Sequence, residues 1–291
     1  MKNKITNYIE YYPDILLKEI SINPVGYLPL GAMEWHSYHL PLGFDGMACE
    51  YFFRRLAKLK GGVVFPTLHY GIAENMPHPA SFTLPDKNYK AFVRNIIKGI
   101  ISLGIKVVIV GTGHWSANQI MCLLDLSAEF NKKYENKRVL VSGLPLGITG
   151  YEKGLIIDHA GVYETSFGIE LFPDKVRLER LGNAYLENWN FPDAEQLAYF
   201  GIECRRDPRK HSSKEEGHKI FSILISDYIN LIDEMFAGKT GLLEKYSRMA
   251  SDFLKSNFSE LYGNTDPLKF YKKVKKILIK KYYGKNNQLT T

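Results

Sequence analysis

The chain has 291 residues, 45% of them hydrophobic, and a formal net charge of +7. That length allows one large domain or two small ones, and that composition can bury a sizeable core and excludes disorder as the main state. The charge is uneven: residues 267–291 hold eight lysines and no acid, which leaves the rest of the chain at −1 and excludes a global basic field for nucleic acid over the main body.

The N-terminal stretch MKNKITNYIEYYPDILLKEI has no continuous apolar core, so no signal peptide is read there. No stretch reaches the roughly 18–20 apolar residues of a membrane span. Cys49, Cys122 and Cys204 are far apart and odd in number, which suits a reducing compartment without a disulfide framework; a cytoplasmic location is expected.

In chain order, Val25–Leu30 (VGYLPL) reads as a short buried strand. Asp45–Leu59 has helical spacing, with Asp45 placed to act as its N-cap. Val63–Pro66 reads as a second strand, and Thr67–Leu84 as a long polar loop, which at this length points to function. An amphipathic helix follows over Lys87–Leu103, with Asp86 as a candidate cap and Gly104 as its stop. Lys106–Val110 (KVVIV) is the clearest strand; short and β-branched, it suits a parallel strand covered on both faces. GTGHWSAN then leads into a helix to about Lys133. Arg138–Ser142 is the next strand, and a helix is expected over His159–Phe172. Beyond Gly201, one long helix is expected over His211–Phe236. Further Lys- and Tyr-rich helix is expected over Gly241–Lys285, broken near Gly263–Pro267.

Alternation of strands and helices predicts a three-layer α/β/α sandwich around a mainly parallel sheet, with a C-terminal helical extension. The expected domains are 1–240 and a basic appendage over 241–291. In such sheets, sites form beyond the carboxyl ends of strands. The polar clusters fall there: EWHSYH after the first strand, ENMPHP after the second and GTGHWSAN after the third.

The first cluster holds the chemistry. Glu34 and His36 are two apart, so in extended chain they project to one face. Asp45 follows a tight LPLGF turn and can return to the same point. Carboxylate plus imidazole without thiolate suits zinc or manganese. Taken singly, each residue has a plainer reading, as a cap or a loop hydrogen bonder. His114 sits in the glycine-rich turn after the best strand, where Gly111 and Gly113 let the backbone approach a ligand; no GK[ST] follows, so it is not a phosphate loop. Asp158-His159-Ala160-Gly161 precedes Glu164. Five residues apart on a regular helix, His159 and Glu164 would diverge by about 140°, so a shared site requires His159 to lie before the first turn.

These residues carry a resemblance. LPLGAMEWHSYHLPLGFD (Leu28–Asp45), TGHWSAN (Thr112–Asn118) and HAGVYETS (His159–Ser166) resemble, in order, the three signatures of the creatininase family of metal-dependent hydrolases. The match covers roughly Leu28 to Val176. It implies two divalent ions, zinc and/or manganese, with Asp45 bridging, Glu34 and His114 on one ion and His36 on the other. In creatininases proper a glutamate two residues after the histidine completes the second site; here that position is Ser116, so either Glu164 or water replaces it, or the second ion is weakly held or absent. Ser37 stands where glycine is usual and Trp35 where glutamine is common.

The implied activity is attack of a metal-bound hydroxide on a cyclic amide or formamide C–N bond of a small molecule. His159 would carry the proton, Glu164 would orient it or bind metal, and Trp35, Ser37, His78, Trp115 and Ser116 would line the pocket. The alternatives on the same site are ring opening of a cyclic keto-inositol by C–C cleavage, favoured by hydroxyl-binding groups, or a non-catalytic protein that has lost the second metal. The resemblance also implies a homo-oligomer, often a hexamer; the charge distribution and the lack of an apolar span argue against a nucleic-acid or membrane partner. For the lysine-rich tail, a solvated face on a docked terminal helix is favoured over binding to an anionic surface.

Overall fold

The structure is a computed structural model that describes residues 6–73, 78–181, 201–202, 206–262 and 267–283. Strand β1 is Val25–Leu30, β2 Val63–Val64, β3 Val107–Thr112 and β4 Leu140–Pro145. All their pairings are parallel, in the order β2-β1-β3-β4. The pleat sends successive side chains of β3 to opposite faces. Val107 and Ile109 enter one apolar cluster, Val108 and Val110 the other. β1 divides in the same register: Val25 (paired with Val107) and Tyr27 face the first cluster, Leu28 (paired with Val110) and Leu30 the second.

Both faces are therefore covered by helices. One layer contains α1 (Pro13–Ile22), α3 (Asp86–Ser102) and α4 (Ala117–Tyr134). In α3 the buried residues Tyr89, Val93, Ile97 and Ile100 fall four, four and three apart, the stripe that a 3.6-residue repeat turns to one side. The other layer contains α2 (Phe44–Lys60), α5 (Val162–Leu171) and α7 (Lys214–Phe236), which follows the single turn α6 (Pro208–His211). Phe52 and Phe53 of α2 are fully buried there, a contribution of about 2–3 kcal/mol each by area. The extension comprises α8 (Gly241–Tyr262) and α9 (Pro267–Tyr283); α8 joins this layer, with Leu243, Tyr246 and Ala250 in the same core. Among the described residues no helix is long and apolar enough to cross a membrane.

Several boundaries move from the sequence expectation. Helix α2 starts at Phe44 with Gly43 as N-cap, so Asp45 is not the cap; it lies inside the first turn with its carboxylate free for other partners. Asp86 is the first residue of α3, and Pro85 is its N-cap. β4 starts at Leu140 rather than Arg138, because Arg138 adopts a left-handed conformation (φ 51°) that ends the preceding turn. The helix expected from His159 begins at Val162. The long helix expected from His211 is divided at Ser213, whose side chain accepts the Glu216 N–H as N-cap of α7. The expected break in the extension (263–266), Cys204 and residues 74–77 of the ENMPHP cluster lie outside the described residues.

Strand order places the site. The chain passes from β1 to β2 on one side, then crosses to β3 on the other side of β1. In open parallel sheets the site lies where the order reverses, in a crevice beyond the carboxyl ends of the strands, which here are β1 and β3. Leu30 and Thr112 end those strands side by side.

Candidate metal centre

Glu34 and His36 lie on the segment leaving β1, His114 on the turn leaving β3, Asp45 in the first turn of α2, and Glu164 in the first turn of α5. None is more than 5% exposed. Two glycines permit this meeting. A methyl group on Gly113 would collide with the Asp45 carbonyl oxygen, and one on Gly31 with the Gly46 nitrogen. The glycine-rich turn thus admits the backbone of α2.

Each imidazole is anchored at one nitrogen by a backbone carbonyl. His36 Nδ1 donates to the Glu34 carbonyl (3.1 Å), His114 Nε2 to the Ile72 carbonyl (2.8 Å) and His159 Nε2 to the Trp35 carbonyl (2.9 Å). A carbonyl oxygen only accepts, so the anchored nitrogen carries the hydrogen and the other nitrogen of a neutral ring presents a lone pair. Those lone pairs all turn toward carboxylates. His36 Nε2 lies 3.0 Å from Asp45 Oδ1 and 3.5 Å from Glu164 Oε2. His114 Nδ1 lies 3.1 Å from both Glu34 Oε2 and Asp45 Oδ2, and His159 Nδ1 lies 3.7 Å from Glu34 Oε2.

Lone pairs facing carboxylates repel unless a positive charge stands between them. A proton can supply it: although burial opposes the charged ring, Asp45 and Glu164 push His36 up to about 10, and Glu34 and Asp45 raise His114 well above its ordinary range. In turn, His36 and His114 outweigh burial to hold Asp45 well below the usual carboxylate range, and His114 and His159 do the same for Glu34. A metal cation can supply the charge instead, and the geometry favours it. His36 Nε2 and Asp45 Oδ2 are buried without a hydrogen bond of acceptable geometry. The carbonyl anchors are the outer partners that hold a metal-ligating histidine in place.

Three groups of ligand atoms fit a cation: Glu34, Asp45 and His114; His36, Asp45 and Glu164; and Glu34, His36 and His159. Asp45 belongs to the first two, so its two oxygens can serve two ions at once. The donor set is oxygen and nitrogen without sulfur, which suits zinc or manganese.

The other expected site residues are dispersed. Ser116 is the N-cap of α4, accepting the Gln119 N–H, and belongs to none of the three groups. Trp35 is buried, its ring stacked on His78 (4.4 Å). Ser37 is buried at φ 57°, a conformation glycine adopts without steric cost. Trp115 donates to the Leu146 carbonyl and packs on Phe253 of α8. His39, from the same motif as His36, is not part of the cluster. It hydrogen bonds Thr165 (2.9 Å), and burial, with the charge of His36, pulls it down to about 3. Asp158, three residues before the N-cap Gly161, accepts the N–H groups of Tyr163 and Glu164 in the first turn of α5.

Sequence reasoning missed Gln119. Its side chain accepts the Ile72 N–H (2.8 Å) and donates to the Thr112 hydroxyl (2.8 Å) and the Gly31 carbonyl (3.3 Å). It therefore fixes the peptide chain whose carbonyl orients His114. The only local signal is its place three residues after a capping serine; the partners are distant in sequence.

The chain matches the model of the creatininase (creatinine amidohydrolase) family over residues 16–232. A creatinine amidohydrolase of Pseudomonas putida is 24% identical over 241 residues, covering 72% of this chain and 88% of that protein. The fold is similar to that of a solved creatinine amidohydrolase, with TM-score 0.65 and 22% identity over 80% of this chain and 98% of the other. A mutant creatininase of Zn-Zn type and a manganese creatininase each give a TM-score of 0.64, at 22% and 23% identity, over 80% of this chain and 99% of theirs. The matched residues include all three ligand groups and stop short of α8 and α9. The chain belongs to the creatininase family, a family of amidohydrolases.

Proposed function

We propose that this protein hydrolyses a C–N bond in a cyclic amide or formamide of a small molecule, using two divalent cations, zinc or manganese. The observation that carries the reading is the shared Asp45, whose two oxygens face two anchored imidazoles from opposite sides. Glu34 and His114 would complete one ion's ligands, His36 and Glu164 the other's. Glu164 then stands in for the ligand that Ser116 cannot supply. Bound there, such a pair supplies a nucleophile at neutral pH and polarises the substrate carbonyl.

The remaining steps belong to the chain. His159 is the most open of the three clustered imidazoles, and burial and the charge of His36 pull it down to about 4. It is therefore neutral at working pH, with its hydrogen held at Nε2 by the Trp35 carbonyl. Its Nδ1 is the base that can take a proton and return it to the leaving nitrogen. Glu164 is buried, pushed upward by that burial, and fixed by the Ala160 N–H (2.6 Å), which keeps it beside His36. The low exposure of the cluster keeps water out of competing positions. The aromatic neighbours Trp35 and His78 favour a flat cyclic amide over a polyhydroxylated ring.

The test is hydrolysis by the zinc- or manganese-loaded chain of a panel: creatinine, a dihydropyrimidine ring amide, an N-formyl amine and a cyclic keto-inositol. Turnover of a cyclic amide or the formyl compound is expected, with a loss of at least about 10³-fold in Asp45→Asn. Turnover of the keto-inositol alone, or full activity in Asp45→Asn, contradicts the reading.

A further inference from the structure

The site has an outer wall that comes from beyond the family's matched length. Helix α9 begins 35 positions after residue 232, where the match ends. Its face is set by four-residue steps. Val274 and Leu278 are fully buried, and Tyr282 is the next residue on that stripe. Lys272, Lys273, Lys275, Lys276, Lys280 and Lys281 are exposed. The helix is therefore docked by its apolar stripe, with its lysines in solvent.

The stripe ends at the candidate site. The Tyr282 ring meets His78 edge-on (4.6 Å, 75°) and Trp35 edge-on (6.4 Å, 82°). It also shares a hydrogen bond with Tyr38. Trp35 lies between two metal-ligand candidates, Glu34 and His36, and its carbonyl anchors His159. His78 covers one face of the indole, and Gly201 stands so close to the ring that a methyl group there would collide with it. Trp35 is consequently only 2% exposed although it belongs to a loop. Helix α8 also touches a motif residue: Phe253 packs edge-on against Trp115 (4.9 Å).

We propose that α9 is the lid of this site and that Tyr282 is a specificity-determining residue, closing the aromatic wall formed by Trp35 and His78. The proposal rests on the hydrolase reading for its substrate and on the ring contacts alone for the lid. In the closed form the wall leaves no exposed face of Trp35 for a ligand, so α9 and His78 must yield before a substrate enters. A small flat ring needs a smaller opening than a bulky one. Tyr282→Ala should therefore widen the accepted range toward larger amides.

The test of the lid needs neither substrate nor metal. In the full chain with Trp115 and Trp189 replaced by Phe, Trp35 is the sole tryptophan, and its quenching by acrylamide reads its exposure. Tyr282→Ala is expected to raise the quenching constant about threefold or more, through a larger open fraction. Tyr282→Phe keeps the ring and is expected to stay near the parent value, with cooperative urea unfolding in all three showing that the fold is retained. In the otherwise unaltered zinc-loaded chain, Tyr282→Ala should speed zinc removal by EDTA about tenfold, the shift expected from losing two edge-to-face ring pairs, with zinc content unchanged. Quenching that Tyr282→Ala leaves unchanged overturns the lid. Failure to bind either zinc or manganese, with the quenching difference intact, overturns the hydrolase reading and leaves the lid standing.

Discussion

His36 and His114 each look onto two carboxylate oxygens, so every charge state of one group constrains the others. Without metal, Asp45 and Glu164 keep His36 protonated up to about 10 against the effect of burial. A cation must displace that proton. The free form binds protons that the metal-bound form lacks, so metal affinity falls as pH falls below about 10, by roughly tenfold per unit for each proton released. Zinc or manganese binding at pH 7 should release at least one proton per chain, measured by calorimetry in two buffers of different ionisation enthalpy. Binding without proton release contradicts this charge balance. The ligand candidates were legible because residue type and order carry them: Glu34, His36, Asp45, His114 and Glu164 all stand in the three motifs. A site shared by His159 and Glu164 required His159 to lie before the first turn, and α5 starts three residues after it. Gln119 and the carbonyl anchors were not legible, because Ile72, Gly31 and Thr112 meet Gln119 only in the folded chain.

Among the elements, the start of α2 decides whether the site forms. Gly113 and Gly99 make opposite predictions for the same substitution. Gly113→Ala drives a methyl group into the Asp45 carbonyl, so the helix start must shift; a loss of about 1–3 kcal/mol is expected, with at least about tenfold weaker zinc binding. Gly99 lies exposed within α3 with open space where a methyl group would stand. Gly99→Ala should raise stability by roughly 0.5–1 kcal/mol and leave zinc binding unchanged. Urea denaturation and metal titration of the two variants check both, and equal effects would contradict the packing described. Existence and type of the main elements were readable from period: β3 from its β-branched run, α3 from its stripe. Their ends were less so. Asp45 has the residue type of a cap, yet Gly43 takes that position and leaves the carboxylate for the site. Arg138 reads as strand, but its left-handed backbone delays β4.

At the scale of the whole molecule, strand–helix alternation predicted the parallel sheet and three layers. The order β2-β1-β3-β4 was not readable, because it depends on which side of β1 each crossover returns. That order creates the crevice, and the motif after β1 meets the motif after β3 inside it. The extension read as an appendage, yet Leu243, Tyr246 and Ala250 share the main core and α9 reaches the site. Helical period gave its segments, and nothing local in the lysine-rich run specified its docking partner. The proposed pair of cations depends on the shared Asp45. The most direct measurement is elemental analysis of the full chain, purified without chelator or affinity-column metal, beside Asp45→Asn. Two equivalents of zinc or manganese per chain are predicted, falling to one or none in Asp45→Asn. No metal in the unaltered chain after incubation with both ions, or two equivalents retained in Asp45→Asn, would contradict it.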